Sequence, residues 1–163
     1  MIKNETQQKF GNLIKENQLL ILKVSRIYTS TPQDCQDLFQ EIVIQIWRAF
    51  PSFKGNSKIT SWMYKIAIYT ALMRVRKEKS ALRFQDINDI SENIIQVSYE
   101  PSDDENLEKL YTAISKLNLV EKAIVMLYLD GKSYDEMEEI IGINAGNLRV
   151  KMSRIKDKLK QLV

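Results

Sequence analysis

The 163 residues include only five glycines and three prolines and are 44% apolar, so they have room for one ordinary domain or two small ones and favour helices over a turn-rich sheet. A single cysteine, Cys35, excludes an internal disulfide, and the lack of histidine removes the commonest general base and metal ligand; no catalytic residue, metal or cofactor is expected. The net charge of +3 hides a pattern: basic stretches at 54–79 and 149–160 flank residues 80–105, where Arg83 is the only base among many carboxylates. Two cationic patches with an acidic spacer between them point to two nucleic-acid contacts on one chain. No apolar run reaches the length of a membrane span, and MIKNETQQKF lacks the core of a signal peptide, so a cytoplasmic location is expected.

From Glu5 to Tyr28, Phe10, Leu13, Ile14, Leu20, Ile21, Val24 and Ile27 follow helical spacing, with a break near Asn17. Thr31 and Pro32 then form a start signal, a capping hydroxyl before a proline suited to the first helical position. The helix they open, Gln33 to Phe50, carries a wide apolar arc of Leu38, Phe39, Ile42, Val43, Ile46, Trp47 and Phe50. Asp37, Gln40, Glu41, Gln45 and Arg48 fill the rest. Such an arc beside a polar strip suits either a central bundle helix or a docking face for another protein.

Pro51 to Ser57 reads as a loop, and a long helix follows from about Lys58 to Lys79. Ile59, Trp62, Met63, Ile66 and Met73 are expected to share its inner face. Lys58, Lys65, Arg74, Arg76, Lys77 and Lys79, interleaved with Trp62, Tyr64 and Tyr69, supply what single-stranded nucleic acid needs: cations for phosphates and rings for unstacked bases. Trp62 fits a core position as well as a stacking one. Residues 80–102 lack periodicity and read as an acidic flexible linker, with a short helix near Ala81 to Phe84.

Residues 103–163 read as a second helical unit. Ser102 and Glu105 form a capping-box pattern ahead of a helix from Asp103 to Leu117, with Leu107, Leu110, Ile114 and Leu117 in phase. Asn118 and Glu121 start the next, with Val120, Ala123, Ile124, Leu127 and Tyr128 inward. The segment 133–158 reads as a helix-turn-helix. Ser133 caps, Gly142 ends the first helix, Asn144 caps the second, and Leu148, Met152, Ile155 and Leu159 face the partner helix. Arg149, Lys151, Arg154, Lys156, Lys158 and Lys160 cover the outer face, which fits a helix entering a major groove or an ordinary hairpin with a solvated basic face.

Asp37, Gln40 and Glu41 followed by Trp47-Arg48, and the block Ser61-Trp62-Met63-Tyr64-Lys65-Ile66-Ala67, resemble region 2 of the extracytoplasmic-function class of bacterial RNA polymerase sigma factors. Leu107 to Leu159 resembles region 4 of the same class. The resemblance implies an all-α, non-enzymatic protein of two small helical domains, 1–79 and 103–163. Asp37, Gln40, Glu41, Gln45, Trp47 and Arg48 would contact core RNA polymerase. Lys54, Asn56, Lys58, Ser61, Trp62, Tyr64, Lys65, Tyr69 and Arg74 would hold the −10 element as non-template single strand. Asn147, Arg149, Lys151, Ser153 and Arg154 would read the −35 element as duplex. An anti-sigma factor is an expected partner beside polymerase and promoter DNA. Tyr69 stands where asparagine is common, so it would stack on a base rather than hydrogen-bond to it. Asn118, Glu138 and Val150 also depart from the pattern, Glu138 at a position that usually holds a small residue. Two other readings compete: a helix-turn-helix regulator that never binds polymerase, and a sigma-shaped adaptor that has lost DNA binding.

Overall fold

The computed structural model describes residues 2–82 and 104–162, so the expected linker lies outside the described residues, apart from the helical residues 80–82. Eight α-helices make up the described fold: α1 Ile2–Glu16, α2 Gln18–Ile27, α3 Pro32–Ala49, α4 Ile59–Leu82, α5 Glu105–Ser115, α6 Leu119–Leu129, α7 Tyr134–Ile141 and α8 Ala145–Leu162. The break between α1 and α2 falls at Asn17, whose side chain donates to the Leu13 carbonyl at 2.9 Å.

Helix starts follow local chemistry. The Thr31 hydroxyl accepts from the Asp34 N–H (3.1 Å), Asn118 Oδ1 from Glu121 N–H (2.8 Å), Ser133 Oγ from Glu136 N–H (3.1 Å) and Asn144 Oδ1 from Gly146 N–H (2.8 Å). Each satisfies an amide that the helix itself leaves unpaired. At α5 the cap is Asp104, which accepts from Asn106 N–H at 3.0 Å, so the helix starts at Glu105, two residues after the expected position. Gly142 ends α7 at φ +82°, a conformation that costs an L-residue about 1–2 kcal/mol. Open space surrounds the position of a Cβ there. Gly142→Ala is therefore expected to lower unfolding free energy by that backbone cost alone, read in a denaturant titration.

The first four helices pack as a unit, with α3 against α2 and α4. Ile21, Val24, Leu38, Ile42, Ile46, Met63 and Ala67 are fully buried among them, and each buried Ile or Leu contributes about 1.5–3 kcal/mol of apolar transfer. In the second unit α6 is central, touching α5, α7 and α8. It also touches α2, so five consecutive residues, Ala123 to Leu127, are buried. A helix covered on several sides buries more than one stripe. That corrects the expected inner face: Val125 and Met126 are inside, while Val120 and Tyr128 are exposed. Leu107, at the start of α5, is also exposed rather than in the core.

The two units share one hydrophobic core that runs from Leu20 to Ile155. Their seam is formed by α4 against α7 and by α2 against α5 and α6. This seam redirects α4. Ser61, Tyr64, Ala67, Ile68 and Ala71 are buried, Trp62 and Ile66 are half-buried, and Met73 is exposed instead of inward. Cys35 is buried, and burial pushes its thiol pKa up.

Candidate nucleic-acid and polymerase interfaces

Three residue strips line three helices. On α3, Asp37, Gln40 and Arg48 are exposed and Glu41 and Gln45 half-buried, and Ile44 lies among them with 49% of its surface exposed. Positions 37, 40, 41, 44 and 48 fall on one helical face. Ile44 was missed by the sequence reading, although helical spacing from Asp37 and Gln40 places it there. An exposed isoleucine among polar side chains is the kind of anchor a protein interface desolvates. Trp47 sits at the edge of this strip and packs edge-on to Phe10 of α1, ring centroids 4.8 Å apart.

The second strip belongs to α4 and the loop before it. Lys54, Asn56 and Lys58 are exposed. Lys65, Tyr69 (65% exposed), Met73 and Arg76 continue the exposed face toward the helix C-terminus. Cations thus alternate with a free aromatic ring along one line, the arrangement that tracks a backbone and stacks bases. Arg76, one of the cations expected to serve single-stranded nucleic acid, joins this line by helical spacing. Trp62 is half-buried and tilted against Phe53, centroids 4.9 Å apart, so one indole face is occupied by protein.

Three of the residues expected at the −10 strand are placed elsewhere. Ser61 and Tyr64 (1% exposed) point into the seam. The Tyr64 hydroxyl donates to Asp130 Oδ2 at 2.6 Å, and Lys23 Nζ donates to Asp130 Oδ1 at 2.9 Å. Arg74 is only 18% exposed and is held by Asp34 (3.6 Å), Glu41 (3.7 Å) and Glu78 (3.1 Å). It joins α3 to α4 rather than facing solvent. Burial, then the Asp130 carboxylate, raise the Tyr64 phenol well above its ordinary pKa, so it stays a donor. Partial burial pushes the Asp130 carboxyl up, but the Tyr64 hydroxyl, Lys23 and Lys132 outweigh it and hold the group below its ordinary 3.8. A carboxylate with a lowered pKa stabilises the packed state above its ordinary value, and this is lost as pH falls through the lowered one.

The third strip is the outer face of α8. Asn147, Arg149, Val150, Lys151, Ser153 and Arg154 are all exposed. Arg149 and Arg154 are five residues apart, about 140° around the helix, so they flank the exposed ridge on opposite sides. The Arg149 guanidinium lies over the Tyr134 ring of α7, 5.2 Å from its centroid. Lys156 Nζ lies over the Tyr128 ring at 4.7 Å, and the two tyrosines are 6.5 Å apart. Stacking narrows the orientations of an arginine that is otherwise free in solvent. Tyr134→Leu is expected to weaken duplex binding two- to fivefold, about 0.5–1 kcal/mol, while Tyr134→Phe leaves it unchanged; fluorescence anisotropy with promoter duplex reads both. Glu138 is exposed, so the carboxylate stands outside the helix crossing. No described helix is long and apolar enough to cross a membrane.

Comparison with known proteins fits this layout. Sigma-70 region 2 matches residues 13–81, and Sigma-70, region 4 matches residues 107–159. The chain is 26% identical to the ECF RNA polymerase sigma-E factor of Escherichia coli K12, over 96% of this chain and 87% of that one. It is 20% identical to the ECF RNA polymerase sigma factor SigM of Mycobacterium tuberculosis, over 94% of this chain and 76% of that one. The fold is similar to the sigma factor RpoE solved with the anti-sigma factor NepR from Bartonella quintana (TM-score 0.78, 21% identity, 93% of this chain and 96% of that one). It is also similar to CnrH solved with the cytosolic domain of CnrY (TM-score 0.66, 17% identity, 96% and 88%). With both regions matched in order along one chain whose described elements are all helical, the protein belongs to the extracytoplasmic-function group of the sigma-70 family of RNA polymerase sigma factors.

Proposed function

We propose that this chain binds core RNA polymerase and directs it to promoters, acting by binding energy and without covalent chemistry. The observation that carries the proposal is the coexistence, on one chain, of three exposed strips of different chemistry. The α3 strip, polar and acidic around Ile44, suits a protein partner. The line of Lys54, Lys58, Lys65, Tyr69 and Arg76 suits the non-template strand of the −10 element, with Asn56 beside it. Trp62 offers one ring face, and Ser61 and Tyr64 join when the seam parts. Capturing an unstacked base favours melting because duplex DNA does not present that face. The outer face of α8, with Asn147, Arg149, Lys151, Ser153 and Arg154, suits the major groove of the −35 element.

An anti-sigma factor is a fitting regulator, since the structural relatives RpoE and CnrH were each solved with a bound protein. The site of action is the cytoplasm, where polymerase and promoters are. A helix-turn-helix regulator acting alone would leave the α3 strip without a use. Gel filtration of the purified chain with core polymerase tests the proposal. Co-elution as a stoichiometric complex is expected, and separate elution in the absence of any inhibitor contradicts it.

A further inference from the structure

The exposed face of α8 is not uniformly basic. At about 100° per residue, Gly146, Val150, Ser153 and Asp157 form one ridge, and all of them are exposed. Val150 stands about 170° around the helix from the centre of the buried stripe of Leu148, Met152 and Ile155, so it faces directly away from the core. Arg149, Lys156 and Lys160 run down one flank of this ridge, and Lys151, Arg154 and Lys158 down the other. No cation stands on the ridge itself, and Asp157 at its far end repels phosphate. In a major groove the cationic flanks face the walls, and the ridge faces the base edges on the floor. Contacts within the chain hold part of the flanks in place: Arg149 over Tyr134, Lys156 over Tyr128, and Lys158 with Glu121 at 2.8 Å.

Val150 is the apolar member of this ridge, with 52% of its surface exposed. Its methyl groups cannot replace the water that hydrogen-bonds to a base. Against a carbonyl, a ring nitrogen or an amino group, valine would leave a desolvated polar group unpaired. The thymine 5-methyl is the one methyl group that the major groove displays. A valine in a helix holds one dominant rotamer, so the contact costs little side-chain freedom. Gly146, one turn earlier on the same ridge, adds no side chain, so the first turn of α8 can lie close to the bases and bring a short side chain within reach. A protein partner fits this position less well. Among the described residues, the only other exposed large apolar side chain of α8 is Leu162, about 18 Å further along the helix. Cations therefore surround Val150, where a protein anchor needs a packed apolar pocket.

We infer that Val150 is a specificity-determining residue of the −35 reader: it packs on the 5-methyl group of one thymine and so makes a T·A pair part of the recognised element. The inference rests on the assignment of α8 to duplex DNA and adds the base that one position must hold.

The test uses the full chain and duplexes that it enriches from a randomised library. Each thymine of the enriched element is replaced in turn by deoxyuridine, which pairs with adenine in the same way and lacks only the methyl group. At one position the affinity of the unmodified chain, read by fluorescence anisotropy, is expected to fall about three- to fivefold, the worth of one methyl group returned to water. Val150→Ala is expected to bind the thymine and uracil forms of that duplex equally, at the affinity the unmodified chain shows for the uracil form.

Uracil replacements that are all without effect overturn the inference, and this readout needs no variant. A loss that persists in the folded Val150→Ala variant overturns it as well. Neutral uracil replacements together with weaker binding of Val150→Ala to core polymerase would assign the valine to a protein contact instead. Failure of the underlying reading looks different: no element is enriched at all, or Arg149→Ala, Arg154→Ala binds the enriched element unchanged. Either result removes α8 as the duplex reader, and the role of Val150 with it.

Discussion

Replacing Arg149 and Arg154 together with alanine is expected to abolish recognition of the −35 duplex. Each is exposed on the outer face of α8, and they flank its ridge on opposite sides. In a major groove one therefore reaches one wall and the second the other. A well-placed arginine contributes about 1–3 kcal/mol of discrimination, so losing two costs about 2–6 kcal/mol, a drop of about 30-fold to more than ten-thousandfold. The fold is not expected to change, because the inner residues Leu148, Met152 and Ile155 are untouched. Anisotropy with promoter duplex at fixed salt measures the loss, and circular dichroism checks helix content. Unchanged affinity would show that α8 is not the duplex reader and would favour a sigma-shaped adaptor.

Ile44→Asp is expected to have the second large effect, on polymerase rather than on DNA. Ile44 is half exposed and sits among Asp37, Gln40, Glu41 and Arg48. A charge at the centre of a desolvated contact is left without a partner, and central anchors of this kind are worth about 2 kcal/mol or more, about 30-fold in affinity. Binding to core polymerase falls accordingly, while binding of the free chain to −35 duplex stays as it was. That split separates a polymerase-dependent factor from an independent regulator, in which Ile44 would have no role.

Locally determined features were legible in the sequence. The caps at Thr31, Asn118, Ser133 and Asn144, the glycine that ends α7 and the break at Asn17 depend on a few neighbouring residues, and all appear as expected. The basic outer face of α8 was legible for the same reason, since one periodic helix defines both of its faces. The inward turn of Tyr64 was not. Its partner Asp130 is 66 positions away, and the packing of α7 on α4 decides which side of α4 is covered. Arg74 resembled a phosphate contact in a basic run, yet its carboxylate partners Asp34 and Glu41 come from α3. Trp62 was open between core and stacking because both descriptions apply: one face meets Phe53 and part of the ring remains in solvent. Local propensity and periodicity thus gave the helices, whereas their mutual packing fixed which aromatic and cationic residues remain available.

Stability follows the same division. Tyr28 and Tyr64 join the two units through hydrogen bonds whose acceptors lie on the second unit, and their apolar rings are buried in the common core. Exposed ion pairs such as Lys158 with Glu121 (2.8 Å) add little beside that burial.

The measurement that bears most directly on the whole account is run-off transcription with purified core polymerase, a library of promoter-bearing fragments and this chain as the sole specificity factor. Discrete transcripts that begin downstream of a shared pair of sequence elements, and that vanish with Arg149→Ala, Arg154→Ala, are expected. Transcription no different from that of core polymerase alone, with the chain folded and no inhibitor present, would contradict it.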